Sequence, residues 1–171
     1  MTDYEFIPLM AADLPLMKRW LAAPHLRQWW GEPANQYELI KTDLDDADID
    51  MRLVLFEQTP IGYIQDYDPR DWPDIHFAGL PAGTRATDQF IGEHEMLEKG
   101  HGSAFLRARA EALIEAGATM VVTDPDAANM RACAAYRKAG FHEQSRFNNK
   151  DSVTYEGANK EGTFLLMIYR G

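Results

Sequence analysis

Hydrophobic and polar positions recur along this chain with two periods, one helical and one typical of strands. Near the N-terminus apolar residues return every three or four positions, which predicts an amphipathic helix. Later apolar runs are short and bounded by Gly, Pro, Asn or Asp, as strands are. The predicted strands are Phe6–Met10, Met51–Glu57, Pro60–Tyr67, Thr87–Gly92, Met120–Thr123, Phe141–Phe147 and Thr163–Tyr169. The predicted helices are Leu14–Ala22, His25–Gly31, Gln36–Leu44, one running from the glycines after Lys99 to Gly117, and Ala127–Ala139.

The order of these elements predicts an α/β protein with a mixed sheet. A hairpin at Gln58-Thr59 and a late pair of strands around the polar loop Asn148–Gly162 are incompatible with a purely parallel sheet. Met120–Thr123 lacks polar alternation, so we expect it to be buried on both faces. With 171 residues and no linker or repeat, the chain is expected to form a single domain, 1–171.

Charge and composition narrow the classes of partner. The formal net charge of −10 argues against nucleic acid, whose binding needs basic surfaces. It suits a cationic substrate, although acidity that serves only solubility is the commoner case. No apolar run approaches the roughly 20 residues of a membrane span, and the N-terminus lacks a signal pattern, so we expect a cytoplasmic protein without membrane contact. One cysteine, Cys133, and five scattered histidines predict no disulfide and no metal site.

Two stretches carry aromatic residues in unusual settings. Trp29 and Trp30 are adjacent and cannot both face the core from one helix, so one is expected inside and the other at a cleft; two tryptophans without a ligand role are about as probable. The stretch Asp68–Ala86 is rich in Pro, Gly and Asp and reads as a long loop, with Trp72 and His76 within it. It is either a flap for an amine or a mobile surface loop.

A short glycine loop, Lys99-Gly-His-Gly102, separates a predicted strand from a predicted helix. Backbone N–H groups in the first turn of a helix, together with the helix dipole, suit an anion such as phosphate. Glycines also mark ordinary turns, so the loop alone leaves both interpretations open.

The glycine loop and the later helix together resemble the acyl-CoA site of the GNAT N-acetyltransferases. Leu97-Glu-Lys-Gly-His-Gly102 is similar to the family's Arg/Gln-x-x-Gly-x-Gly/Ala loop, with Leu97 as a departure. Asn129 to Phe141 is similar to the family's Asn-x-x-Ala-x-x-x-Tyr-x-Lys-x-Gly-Phe signature. Further similarities point to the aminoglycoside 6′-N-acetyltransferase branch; they are His25–Gly31, Pro60–Gln65, Thr87–Gly92 and Thr123-Asp-Pro125. Glu98 stands where the family usually has glycine, and its charge would weaken cofactor binding unless it points to solvent.

This resemblance implies a mostly antiparallel sheet flanked by helices, with a splayed parallel pair of strands at the CoA site, and acetyl-CoA as the cofactor. It implies an acceptor that is a cationic amine, most simply an aminoglycoside, and a monomer or homodimer. The implied cofactor-binding residues are Phe90, Ile91, Gly92, Glu98, Lys99, Gly100, His101, Gly102, Ser103, Asn129 and Tyr136. The implied substrate-binding residues are Trp29, Trp30, Tyr67, Trp72, Asp88 and Asp124. His101 is expected to be exposed, with a phosphate contact as the alternative.

Asp88 and Tyr136 are the predicted catalytic residues. A carboxylate can orient an ammonium and accept its proton, although an ordinary aspartate, with a pKa of about 3.9, is a weak base. A phenol can protonate a departing thiolate. Without the resemblance, Asp88 would be an ordinary residue at a strand end and Tyr136 a core residue of a helix. Two other functions stay open, namely acyl transfer to a lysine- or hydroxylamine-type amine in siderophore biosynthesis and CoA or ligand binding without turnover.

Overall fold

The computed structural model describes residues 4–72, 75–148 and 162–171, and in this part of the chain seven strands form one sheet. The strands are β1 (Tyr4–Pro8), β2 (Ile49–Phe56), β3 (Thr59–Tyr67), β4 (Thr84–Ile91), β5 (Met120–Thr123), β6 (His142–Asn148) and β7 (Thr163–Tyr169). The α-helices are α1 (Leu14–Leu21), α2 (Pro24–Trp30), α3 (Pro33–Asp43), α4 (His101–Glu115) and α5 (Met130–Ala139).

The strand order is β1-β2-β3-β4-β5-β7-β6, and every neighbouring pair is antiparallel except β4 and β5. The predicted mixed, mostly antiparallel α/β fold is therefore confirmed. All four residues of β5 are buried, as their lack of alternation predicted. Among the described residues, no helix is both long enough and apolar enough to cross a membrane.

Helices cover both faces of the sheet because successive side chains of a strand point to opposite faces. In β2, Val54 packs into the core formed with α4 and α5, while its neighbours Leu53 and Leu55 pack into the core formed with α1, α2 and α3. The central strands are therefore largely buried on both sides, and buried polar residues in them form ion pairs, such as Asp66 of β3 with Arg109 of α4.

Several predicted boundaries differ from the structure, and β1, for example, spans Tyr4–Pro8 and not Phe6–Met10. The loop predicted over Asp68–Ala86 ends earlier, because Thr84 to Ala86 pair with β5 and extend β4 at its start. It also contains two short 3-10 turns, Pro69–Asp71 and Ile75–Phe77. Helix α5 begins at Met130 and not at Ala127, because the Asn129 side chain caps it by accepting a hydrogen bond from the Ala132 N–H at 3.2 Å. Most of the predicted hairpin loop, residues 149–161, lies outside the described residues.

Candidate active site

The parallel strands β4 and β5 separate shortly after they meet. Their pairing covers only Thr84–Ala86 and Met120–Val122, whereas β4 stays paired with β3 as far as Ile91. Beyond Ala86, no strand of the described ranges pairs with the other edge of β4. On that edge the Ile91 carbonyl accepts a hydrogen bond from His25 Nε2 at 3.0 Å. The splayed pair that the resemblance implied is thus present, and it leaves a stretch of strand edge open.

A cavity of about 280 Å³ lies at this opening, bounded by β4, α2, α4 and α5. Its walls are largely apolar and its charged members are exposed, which suits a long ligand with an apolar arm and a charged end. Of the predicted site residues, those that line it are Trp29, Trp30, Phe90, Ile91, Glu98, Gly100, Gly102, Ser103, Asn129 and Tyr136. The structure therefore brings together residues that are more than one hundred positions apart in the chain.

The glycine loop turns into α4 at the mouth of this cavity. Gly100 has a left-handed backbone with φ +89° and is the N-cap of α4, so no side chain there covers the N–H groups of the first turn. The Lys138 ammonium lies close by, 3.7 Å from the position that a Cβ on Gly100 would occupy. Arg131, seven positions before Lys138 on the same face of α5, also lines the cavity. Free backbone donors and two cations together suit a phosphate group.

Two predicted cofactor residues of the loop, Lys99 and His101, do not line this cavity. Lys99 is exposed and does not line it. His101 is buried and not exposed as expected, because the left-handed turn at Gly100 directs it toward β1 and β2. There the Tyr4 hydroxyl lies 2.8 Å from His101 Nδ1 and the Phe56 ring is 4.6 Å away.

Gly92 is set by packing and by the sheet. A Cβ at this position would lie 2.1 Å from the Trp20 ring, so only glycine fits without moving that ring. The Gly92 N–H donates to the Ile61 carbonyl at 2.9 Å and is therefore not directed at the cavity. Trp20 itself is fixed by an edge contact with Phe90 and by donating from Nε1 to Glu93. Gly92 thus shapes the end of β4, while Ile91 presents its carbonyl to the open edge.

Tyr136 projects from α5 to the face of β4 that carries Gln89. The Gln89 amide donates to the Tyr136 hydroxyl, and the Gln89 carbonyl oxygen accepts from Thr87 Oγ1 at 2.9 Å. Burial raises the pKa of Tyr136 above its ordinary value, against hydrogen bonds with Thr123 and Gln89 that lower it. The phenol is therefore protonated at neutral pH and held in one orientation, as a proton donor must be.

Asp88 projects to the opposite face of β4. Gln65, its partner across the strand pair, donates to Asp88 Oδ2 at 2.9 Å, and Tyr63 in turn donates to Gln65 at 2.6 Å. Burial and the neighbouring charge of Asp124 raise the pKa of Asp88 to about 7, although hydrogen bonds from Gln65 and Tyr67 lower it. A carboxylate with this pKa is a far better base at neutral pH than an ordinary aspartate.

The remaining predicted substrate residues gather around Asp88. Tyr67 hydrogen-bonds the Asp88 carboxylate, and its ring contacts Trp72 with centroids 5.7 Å apart. Asp124, directly after β5, is buried and close enough for its charge to act on Asp88. They form an acidic and aromatic group beside the open edge of β4, suited to a cation.

Both adjacent tryptophans line the cavity, so neither is purely a core residue. Trp30 packs edge-on against Phe90 at 4.8 Å and also contacts Tyr63, whereas Trp29 is half-buried at the wall. Sequence reasoning missed His25, Gln89, Arg131 and Lys138. For the last two a signal existed, since positions seven apart on a helix share a face.

The cysteine and the potential metal-binding side chains lie as follows. Cys133 is buried, and burial raises the pKa of its thiol, so it is not a reactive nucleophile. Within the described ranges, no group of three or more His, Cys, Asp or Glu side chains could hold a metal ion.

Comparison with known proteins places this geometry in a family. The acetyltransferase (GNAT) domain model matches residues 10–149. The chain is 30% identical over 148 residues to proteins of Klebsiella pneumoniae and Serratia marcescens named aminoglycoside N(6′)-acetyltransferase type 1, covering 81% of this chain and 74% of each relative.

Solved structures of the aminoglycoside acetyltransferase AAC(6′)-Ib are similar over nearly the whole chain. One holds coenzyme A and kanamycin, with a TM-score of 0.80, 26% identity and coverage of 98% of this chain and 94% of that one. Another holds paromomycin and acetyl-CoA, with a TM-score of 0.81, 26% identity and coverage of 98% and 93%. Because the GNAT domain model matches residues 10–149 and these relatives are 30% identical over most of their length, this chain belongs to the GNAT acetyltransferase family.

Proposed function

We propose that this enzyme transfers the acetyl group of acetyl-CoA to the 6′-amine of an aminoglycoside. The strongest support is the arrangement at the open edge of β4, where Asp88, with a pKa of about 7, lies on one face and the protonated phenol of Tyr136 on the other. Relatives named for this activity, and similar structures that hold aminoglycosides with coenzyme A or acetyl-CoA, support the substrate class.

The cofactor fits the cavity by the chemistry of its walls. Acetyl-CoA supplies an activated acyl group as a thioester at the end of a long, largely uncharged arm. The N–H groups of the first turn of α4 would hold the pyrophosphate, with Arg131 and Lys138 supplying positive charge. The arm would run along the open edge of β4, where Ile91 presents a carbonyl that accepts N–H donors.

The acceptor fits the other side of the same edge. Aminoglycosides carry several ammonium groups, and Asp88 and Asp124 present two carboxylates in a protein with a net charge of −10. Tyr67 and Trp72 offer ring faces beside these carboxylates, which suit the apolar face of a sugar ring and its cations.

The proposed reaction is balanced by one base and one acid. Asp88 removes a proton from the acceptor ammonium, and the freed nitrogen lone pair forms the bond to the acetyl carbon as the carbon–sulfur bond breaks. Tyr136 donates its proton to the departing sulfur and regains one from the nitrogen. The products are an amide and a thiol, and one proton per turnover passes through Asp88 to the solvent.

The test is a thiol-release assay with two aminoglycosides that differ only in carrying an amino or a hydroxyl group at the 6′ position. We expect thiol release with the 6′-amino compound alone, a mass increase of one acetyl group, and loss of kcat by about 100-fold or more in Asp88→Asn. Asp68→Asn, which replaces an aspartate paired with Arg70, is the control. Equal turnover of both compounds would refute 6′ transfer, and turnover restricted to lysine- or hydroxylamine-type amines would favour siderophore acylation.

The pH dependence follows from the same carboxylate. Because the base must be deprotonated, kcat/KM should rise with pH through about 7, the pKa of Asp88. A profile that is flat between pH 6 and 8 would remove Asp88 from the role of general base.

A further inference from the structure

A buried histidine, His76, contacts Asp124, one of the two carboxylates of the proposed acceptor site. His76 lies on the 3-10 turn Ile75–Phe77, and its Nε2 is 3.0 Å from Asp124 Oδ2. The side chains are only 1% and 8% exposed. The contact joins residues that are 48 positions apart, and it places His76, which lies in the stretch predicted as a flap or a mobile surface loop, in the interior.

The imidazole ring is held in a single orientation. It stacks on Phe147 with centroids 4.0 Å apart and an angle of 5° between the planes, and it contacts Phe77 at 4.1 Å. A carboxylate accepts hydrogen bonds, so Nε2 carries the hydrogen and donates it to Asp124. A ring fixed by two aromatic neighbours can therefore fix the direction of the Asp124 carboxylate.

Asp124 connects this histidine to the reacting carboxylate. The titratable groups that act on Asp88 are Asp124 after β5, His76, and Tyr67 on β3, and Asp88 in turn acts on Tyr63 and Tyr136. Asp124 raises the pKa of Asp88, and His76 lowers it. A substitution of His76 is therefore expected to alter both the position of the Asp124 carboxylate and the ionisation of Asp88.

We propose that His76 is a positioning residue for acetyl transfer, which by donating Nε2–H to Asp124 holds that carboxylate as a second anchor for the ammonium groups of a cationic acceptor. The inference rests on the proposed function, because it assigns the acceptor of the same site. It differs from a purely structural role in that the loss of the hydrogen bond weakens acceptor binding without weakening cofactor binding.

Two variants separate the hydrogen bond from the bulk of the ring. His76→Leu fills much of the volume and has no donor, whereas His76→Gln can place an N–H near the position of Nε2. We expect His76→Leu to raise KM for the aminoglycoside by about ten-fold, the value of one buried hydrogen bond to a charged group, and His76→Gln to recover most of this. The Kd of acetyl-CoA, measured by calorimetry, should stay that of the wild type. His142→Gln, at an exposed position, is the matched control.

The pH profile provides a readout that packing alone would not move. Without His76, the pKa of Asp88 loses an influence that lowers it, so the acidic limb of kcat/KM should move to higher pH in His76→Leu. In an Asp124→Asn background, His76→Leu should raise the KM for the aminoglycoside little further, because the two residues act through one contact.

The outcomes separate this inference from the proposed function. If the wild type releases no thiol with any aminoglycoside, the proposed function fails. If the wild type is active and His76→Leu has the aminoglycoside KM and the pH profile of the wild type, only the role of His76 is overturned. The same holds if His76→Leu raises KM in the Asp124→Asn background as much as it does in the wild type. If His76→Leu does not fold, His76→Met takes its place as the variant without a donor. A KM for the aminoglycoside that is raised in His76→Met and restored in His76→Gln supports the role, and a wild-type KM in His76→Met overturns it.

Discussion

Replacement of Asp88, the proposed base, by asparagine should make this protein more stable. The carboxyl group has a pKa of about 7 in the folded protein against an ordinary value of 3.8, because burial and the charge of Asp124 disfavour its ionised form. At neutral pH the folded state therefore carries a free-energy cost that the unfolded state does not carry. Asparagine has nearly the same shape and cannot ionise, so Asp88→Asn removes this cost.

The magnitude follows from the difference between the two pKa values. Each unit is worth about 1.4 kcal/mol, so the ceiling is about 4 kcal/mol. Because Asp88 keeps partial solvent contact and two hydrogen-bond partners, we expect about half of this, roughly 2 kcal/mol. For a chain of this length, that corresponds to a rise in Tm of about 4 to 8 °C.

Because the pKa of Asp88 is raised on folding, the difference in stability between the two proteins should depend on pH. Below the unfolded pKa both states of the wild type are protonated at Asp88, and the two proteins should melt together. As the pH rises from 3.8 toward 7, the unfolded wild type releases a proton that the folded one retains, so the wild type loses stability and the gap opens. Above pH 7 the gap should stay constant. Thermal melts of both proteins between pH 4 and 8.5 measure this difference directly, and groups common to both cancel.

Asp68→Asn is the control for the melts. The hydrogen bond and charge of Arg70 lower the pKa of Asp68, so this variant should show no gain in stability that grows with pH. A gap for Asp88→Asn that does not change between pH 4 and 8, or a variant less stable than the wild type at pH 8, would refute the raised pKa of Asp88.

Three further predictions concern Tyr136, Gly92 and Glu98. Tyr136→Phe should lower kcat by about 100-fold while the Kd of acetyl-CoA changes little, because the ring still packs and only the proton donor held by Gln89 is lost; an unchanged kcat in stopped-flow thiol release would exclude Tyr136 as the acid. Gly92→Ala should lower the Tm by several degrees, since its Cβ would lie 2.1 Å from the Trp20 ring; an unchanged melt would mean that Trp20 has room to move. Glu98→Gly should tighten acetyl-CoA binding several-fold by calorimetry, because it removes a negative charge that lines the cavity and a left-handed residue with φ +60°; weaker binding would contradict this.

The elements of the fold were predictable where their signals are local. Helix α4 follows a glycine loop and has a clear buried stripe, and β5 is short, apolar and buried throughout. The start of α5 was missed because Asp126 and Asn129 are both capping residues separated by two alanines, and only the hydrogen bond from Ala132 to Asn129 identifies the true cap. Thr84 to Ala86 were missed because their strand partner lies more than 30 residues later in the chain.

The chemical properties of the site residues were less predictable than which residues form the site. The resemblance implied that Asp88 is the catalytic carboxylate, but its reference pKa predicted a weak base; burial and the charge of Asp124, which the sequence does not show, raise its pKa to about 7. The contact between His76 and Asp124 depends on how two distant segments pack, and it has no sequence signal. Glu98, a departure from the family pattern, occupies a left-handed position that glycine adopts without strain, which gives a backbone reason for the family's usual residue.

The open edge of β4 is a requirement of the proposed chemistry and not only its location. Asp88 and Gln89 are successive residues of a strand and point to opposite faces of the sheet, so the base and the acid held by Gln89 belong to different layers. A base and an acid can act on one reacting carbon only where a substrate can pass between the layers, and that is where β5 has left β4. The splay therefore converts two faces of a sheet into one site. It also follows that a change which prolonged the pairing of β5 with β4 would abolish turnover while leaving Asp88 and Tyr136 in place.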